Sequence, residues 1–314
     1  MELRYGVETA RHLVGLLAQV ACVWEATARK PGNVHRYRDF DDATYLDFLL
    51  SAAAIAPVMS AAAVGEYRVG EAVHQAIRRT RVVAPNNTNL GMVLLLAPLA
   101  AAPPDRPLRE GVRFVLDGAG VDQTREVYQA IRLANPSGLG RVEEQDVSTE
   151  PTLPIREGMA LAADRDLVAQ QYANDFREVF DEGVPALKRG LELTGCLEGA
   201  IIFCHLSLMA AHPDSLIARK RGTGEAEESS RRARAVLDAG WPHAPAGVEA
   251  LARVDDWLRA VGRGRNPGTT ADLVTAGLFV ALRERFVNLP PAYPWTLGAP
   301  SDMKNPTLPP PERP

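Results

Sequence analysis

Residues 82–104 read VVAPNNTNLGMVLLLAPLAAAPP. From Leu90 to Ala102 the run is apolar on every side. A helix built from it has no face to offer water, so it must be a central helix buried all round. The four residues before it, Asn86, Asn87, Thr88 and Asn89, are of the types that cap helix starts. A buried start leaves free N–H groups that must meet something. Capping by the Asn side chains and binding of an anionic ligand both answer that need.

The flanking sequence has the same character. Val7, Ala10, Val14, Leu17, Ala21, Trp24 and Ala28 recur at steps of three or four, a helical stripe ended by Lys30-Pro31-Gly32. A second helix should start near Asp42 as N-cap and break or kink near Pro57. Further helices are expected at 70–79, 107–116, 122–134, 196–211, 225–239, 245–260 and 269–284, with 155–193 helical and broken near Gly183-Val184-Pro185. Residues 135–154 and 213–224 read as loops. No stretch shows convincing period-two alternation. The expected fold is all-α: one multi-helix bundle domain over 1–286, with 287–314 a Pro-rich extended tail.

Hydrophobic residues make up 46% and charged residues 24%, ordinary for a globular chain, and the formal net charge is -4. Nothing suggests bulk attraction to nucleic acid or to an acidic membrane, so any anion must be held by local clusters. Cys22, Cys196 and Cys204 all fall in apolar helical patterns without a CxxC pair, which fits buried thiols in a reducing, cytoplasmic setting. Apolar helical surfaces make a homodimer plausible.

The chemistry-bearing residues lie between the helices. The connector inside residues 24–51, WEATARKPGNVHRYRDFDDATYLDFLLS, is longer than a plain helix–helix link and carries both signs of charge. Lys30, His35 and Arg36 are its candidates for substrate contact. Asp39, Asp41 and Asp42 are candidate Mg²⁺ ligands, since that ion prefers one or two carboxylates plus substrate phosphates. Capping of the next helix explains the acids equally well. DSLIARKRGTGE at 214–225 places Arg219, Lys220 and Arg221 before a flexible turn, and RGRNPGTTAD at 263–272 places Arg263 and Arg265 before another helix start. Both suit a phosphate chain.

These blocks also carry a resemblance. EATARKPGNV at 25–34, NNTNLG at 86–91, DSLIARKRG at 214–222 and NPGTTADL at 266–273 are similar, in the same order, to signature blocks of the triphosphoribosyl-dephospho-coenzyme A synthases, a helical family. The resemblance implies that ATP gives up adenine while its triphosphoribosyl group passes to a ribose hydroxyl of 3′-dephospho-coenzyme A. It implies acid–base and metal roles for Glu25 and for Asp39 or Asp42, phosphate contact for Lys30, and substrate binding for Asn87, Thr88, Asn89, Arg219 and Asp272. The chain departs from the family where RDFDDATY lacks the family's histidine and where Asn89-Leu90 replaces a His-Lys pair. Those departures leave open ribosyl transfer to another acceptor in one-carbon, pterin-linked cofactor biosynthesis, and a nucleotide-binding helical protein without turnover.

Overall fold

A computed structural model describes residues 7–296, with side chains from residue 12, and every regular element among them is helical. The chain opens with α1 (Val7–Thr27), α2 (Tyr45–Ala63), α3 (Val69–Val83), α4 (Leu90–Ala101), α5 (Leu108–Asp117) and α6 (Val121–Ala134). After a long loop come α7 (Ile155–Ala160), α8 (Leu167–Ala173), a π-helical turn (Glu178–Gly183) running straight into α9 (Val184–Thr194), and α10 (Leu197–Ala211). The last elements are α11 (Ser215–Arg221), α12 (Thr223–Asp238), α13 (Pro245–Arg259), a 3-10 turn (Gly262–Arg265) and α14 (Gly268–Arg283).

Several boundaries differ from the sequence reading. The N-cap of α2 is Thr44, which forms a capping box with Asp47; Asp42 does not cap it. The helix runs on through Pro57, because Ala53 and Pro57 share its exposed face and water can take the carbonyl that the proline leaves free. Pro185 breaks nothing, since it sits in the first turn of α9 where no N–H is needed. The breaks in 155–193 fall instead at residues 161–166 and 174–176. Residues 215–221, expected as loop, form α11, because Asp214 accepts from Leu216 N at 2.9 Å and Ile217 N at 3.0 Å and so starts a helix.

α4 is buried as its sequence demands, and α14 beside it is buried from Thr269 to Leu282 except at Asp272. The main core forms around this pair. A satellite core joins Leu206 and Met209 of α10 to Ile217, Val236, Trp241 and Leu258, and it carries both basic loops. Of the expected tail, residues 297–314 lie outside the described residues. Its beginning is docked: Pro294 O and Trp295 O accept from Leu197 N and Glu198 N and so close the start of α10.

Pro98 lies inside α4 and cannot donate to Leu94 O four residues back. The fully buried Tyr172 hydroxyl takes that place, donating to Leu94 O at 2.6 Å. Tyr172→Phe should therefore leave a buried carbonyl without a partner and cost about 1–3 kcal/mol in denaturant unfolding. A loss below about 0.5 kcal/mol would show that the carbonyl tolerates its isolation.

Candidate active site

The connector between α1 and α2 is held by α10 and α13, and this decides where its charges point. Gly32 adopts a left-handed conformation, φ +75°, and a Cβ there would lie 2.7 Å from Leu258 Cδ1. Its N–H donates to Asp255 at 2.7 Å, and Arg38 pairs with the same carboxylate at 2.7 Å. Arg29 grips Glu198 with two guanidinium nitrogens, at 3.0 and 2.8 Å, and Arg36 reaches it at 3.3 Å. Arg36 is thus tied to the start of α10 and is not a substrate ligand on the cleft. His35 is buried and accepts from Tyr37 N at 3.3 Å. Burial, with Arg259 and Lys30 nearby, pushes its imidazole down to about 4, so it is neutral.

Lys30 does not line the cleft either. It is fully buried, 2.9 Å from Glu25 Oε1, and its ammonium also donates to the Glu25 and Ala28 carbonyls. Burial pushes Glu25 up and Lys30 down, and their mutual attraction opposes both shifts.

The amide-rich start of α4 is bound into the structure residue by residue. Asn87 Oδ1 accepts from Leu90 N at 3.0 Å, Thr88 shares a 2.6 Å hydrogen bond with Ser51, and Asn89 donates to Thr80 at 3.1 Å. Asn86 donates to the Asp42 carbonyl at 2.7 Å, which ties this start to the connector. Capping accounts for Asn87. The Oδ1 atom of Asn89 is buried without a partner among the described residues.

Asp214 joins the starts of two helices. One carboxylate oxygen caps α11, and the other accepts from Thr270 N at 2.7 Å and Thr270 Oγ1 at 2.9 Å in α14. This sets Arg219 and Lys220 of α11 beside Asp272 of α14. Arg219 donates to Asp166 at 3.1 Å, while its Nε is buried without a partner among the described residues. Lys220 donates to Arg263 O at 3.2 Å, and burial lowers its ammonium. Arg263 pairs with Asp42 at 3.0 Å.

All of this converges on one cleft of about 370 Å³. Glu25 enters from the end of α1, Asn33 and Asp42 from the connector, all of residues 86–91 from the α4 start, Arg219 and Lys220 from α11, and Asp272 from α14. The four separated sequence blocks therefore share one cavity, of a size that takes a small-molecule ligand. Arg219, Lys220 and Arg263 line it together with Glu25, Asp42, Asp166 and Asp272, and Arg219 pairs with Asp166 as Arg263 does with Asp42. Asp272 is raised well above the usual carboxylate range by burial first, then by Glu25, Asp214 and Asp166, with Arg219 opposing.

Asp39 and Asp41 lie outside this cavity, in a shallow groove shared with Arg38, Arg259 and Arg263. Asp39 accepts from Tyr45 N at 2.6 Å at the start of α2 and Asp41 is exposed. With Asp42 on Arg263, the three acids are not gathered as a ligand set, and no group of three or more His, Cys, Asp or Glu among the described residues could hold a metal ion. Arg265 also points away: it pairs with Glu225 at 3.0 Å and stacks 4.1 Å from the Trp257 ring. Sequence reading missed the far wall. Tyr128 and Ile131 of α6, Met159 of α7, Asp166 and much of loop 135–147 also line the cleft, adding apolar surface. Asp166 is a single helix cap in the sequence, and the loop has no motif, so neither carried a signal.

A profile of the CitG family, ATP:dephospho-CoA triphosphoribosyl transferases, matches residues 11–290. Among solved structures, the chain is similar to a protein from Archaeoglobus fulgidus named as a candidate triphosphoribosyl-dephospho-CoA synthase. The identity is 25% and the TM-score 0.60, over 75% of this chain and 98% of that one. No curated protein matches the chain.

Proposed function

From a chain that belongs to the ATP:dephospho-CoA triphosphoribosyl transferase family, we infer that the shared cleft is the active site for that transfer. The reaction moves the triphosphoribosyl group of ATP to dephospho-CoA, and mass balance leaves adenine as the second product. The observation that carries the assignment is the convergence of four distant blocks on one cavity lined by both cations and carboxylates.

The residues suit the chemistry. Arg219, Lys220 and Arg263 give the triphosphate a cationic wall, and the start of α4 adds backbone N–H groups. The apolar wall of Tyr128, Ile131, Leu139 and Met159 suits the adenine ring. Breaking the bond at the anomeric carbon builds positive charge on the sugar, and the carboxylates of Glu25 and Asp166 line the same cleft. The donor chemistry also fits Mg²⁺ brought in on the triphosphate, because that ion needs one or two protein carboxylates and keeps phosphate and water ligands. Asp42, on the cleft beside Arg263, would hold it; when bound it neutralises phosphate charge.

Incubation with ATP, Mg²⁺ and dephospho-CoA, with free adenine read by chromatography, tests the reading. Adenine should appear only when the acceptor is present. Asp42→Asn should lower the rate about tenfold or more, the worth of one charge-assisted contact. Adenine released only with another acceptor would overturn the dephospho-CoA assignment, and nucleotide binding without any adenine would overturn turnover itself.

A further inference from the structure

Asp272 is the one residue between Thr269 and Leu282 of α14 that is only partly buried, and it lines the cleft. Among the described residues no hydrogen bond or ion pair engages its carboxylate, although Asp214, Asp166 and Glu25 nearby are all held by donors. Its seat is shaped for it. A Cβ built on Gly91 would lie 2.0 Å from Asp272 Oδ2 and 2.5 Å from Cγ, so only a glycine at the start of α4 lets the carboxyl stand there. A polar group in a fitted seat on the cavity wall, with nothing of the protein bound to it, is available to a substrate.

We propose that Asp272 is the general acid of the reaction, protonating adenine as the base leaves the sugar. The proposal rests on the cleft being the place where ATP loses adenine. The C1′–N9 bond breaks and its electron pair goes to the base. The Asp272 proton goes to a ring nitrogen of that base, which departs as neutral adenine. The acceptor's hydroxyl oxygen bonds to C1′, and the proton it loses restores the Asp272 acid, so no outside reagent is consumed.

The surroundings favour a carboxyl that still carries its proton. Glu25 and Cys22 face it from α1, Asp214 from the turn before α11 and Asp166 from the turn before α8; α4 offers Gly91 and no charge. Arg219 is the cation that opposes them, and it is shared with Asp166. Burial and three acids against one shared cation hold the proton on Asp272, as a leaving-group acid requires.

The test is the pH profile of turnover in the full chain. An acid must be protonated to act, so the wild-type rate with ATP should fall as pH rises through the Asp272 pKa. Asp272→Asn should lose about 10²–10⁴-fold in kcat and lose that alkaline limb. With 7-methyl-ATP, whose base leaves as a neutral molecule without a proton, the same variant should fall less than about tenfold, because the acid's contribution is no longer needed. An alkaline limb that persists in Asp272→Asn overturns the proposal whether or not the methylated nucleotide is accepted. Equal losses on the two nucleotides overturn it as well. If wild type releases no adenine at all, the assignment of the cleft fails instead, and the two failures are distinct.

Discussion

Replacing Lys30 with methionine is expected to destabilise the protein by about 3–5 kcal/mol, the cost of leaving a buried charge without its partner. Lys30 has no surface in water and three acceptors around its ammonium, two of them carbonyls. Methionine keeps the length of the stem and removes the charge, so Glu25 alone is left to be solvated. Denaturant unfolding reads the loss. The pH dependence gives the sign. Burial already raises Glu25, and without Lys30 nothing opposes the rise. A carboxylate raised in the folded state stabilises folding when protonated; that contribution is complete below the unfolded value of about 4.3 and disappears as pH rises through the folded one. The deficit of Lys30→Met should therefore be smallest near pH 4 and grow toward neutrality. Adding Glu25→Gln should recover much of it, because neither charge is then buried. A phosphate-contact role would instead raise the KM for ATP and leave stability intact, and that outcome would return Lys30 to the cleft.

The contrast between Lys30 and Arg219 shows which parts were legible. Helix positions followed from apolar spacing, because α4 and α14 bury almost every side chain and no other element can carry such runs. The cleft followed from four blocks of unusual composition, since loops between buried helices concentrate chemistry. Side-chain direction did not follow. Lys30, Arg36 and Arg265 have the composition of phosphate ligands, and each is spent on an acid: Lys30 on Glu25 of the adjoining α1, and Arg36 and Arg265 on the distant Glu198 and Glu225. Whether a basic residue meets a ligand or a carboxylate is decided by which helix packs opposite, and spacing along the chain does not encode that. The acidic triplet is likewise divided among different partners. Asp39 accepts from the start of α2 and Asp42 pairs with Arg263, and spacing along the chain does not encode those partners. Asp166 and the loop at 135–147 were invisible because their part in the cleft comes entirely from the fold.

The second large effect is expected at Asp214. Asp214→Ala should cost about 3–5 kcal/mol, combining loss of a helix cap with buried N–H groups left without acceptors. Its carboxylate takes four donors, two from α11 and two from Thr270 of α14, and it is fully buried. Ser215 Oγ donates to Thr269 Oγ1 at 3.0 Å across the same junction, and Asp214 adds the bonds that run to both helix starts. Arg219 rides on one helix and Asp272 on the other, which makes the substitution a test of the site as well as of the fold. Asp214→Asn is the sharper variant, because it keeps the shape and one oxygen but turns an amide toward donors; about 1–3 kcal/mol should be lost. Where that variant remains folded, adenine release should fall, and its alkaline limb should move in a definite direction. The negative charge of Asp214 helps to hold the proton on Asp272. With the charge gone, Asp272 gives up its proton more readily, and the limb should shift to lower pH. Unfolding midpoints read the first effect and the pH profile of the folded enzyme reads the second. A profile that stays in place would mean that Asp214 organises the two helices without setting the charge of the acid between them.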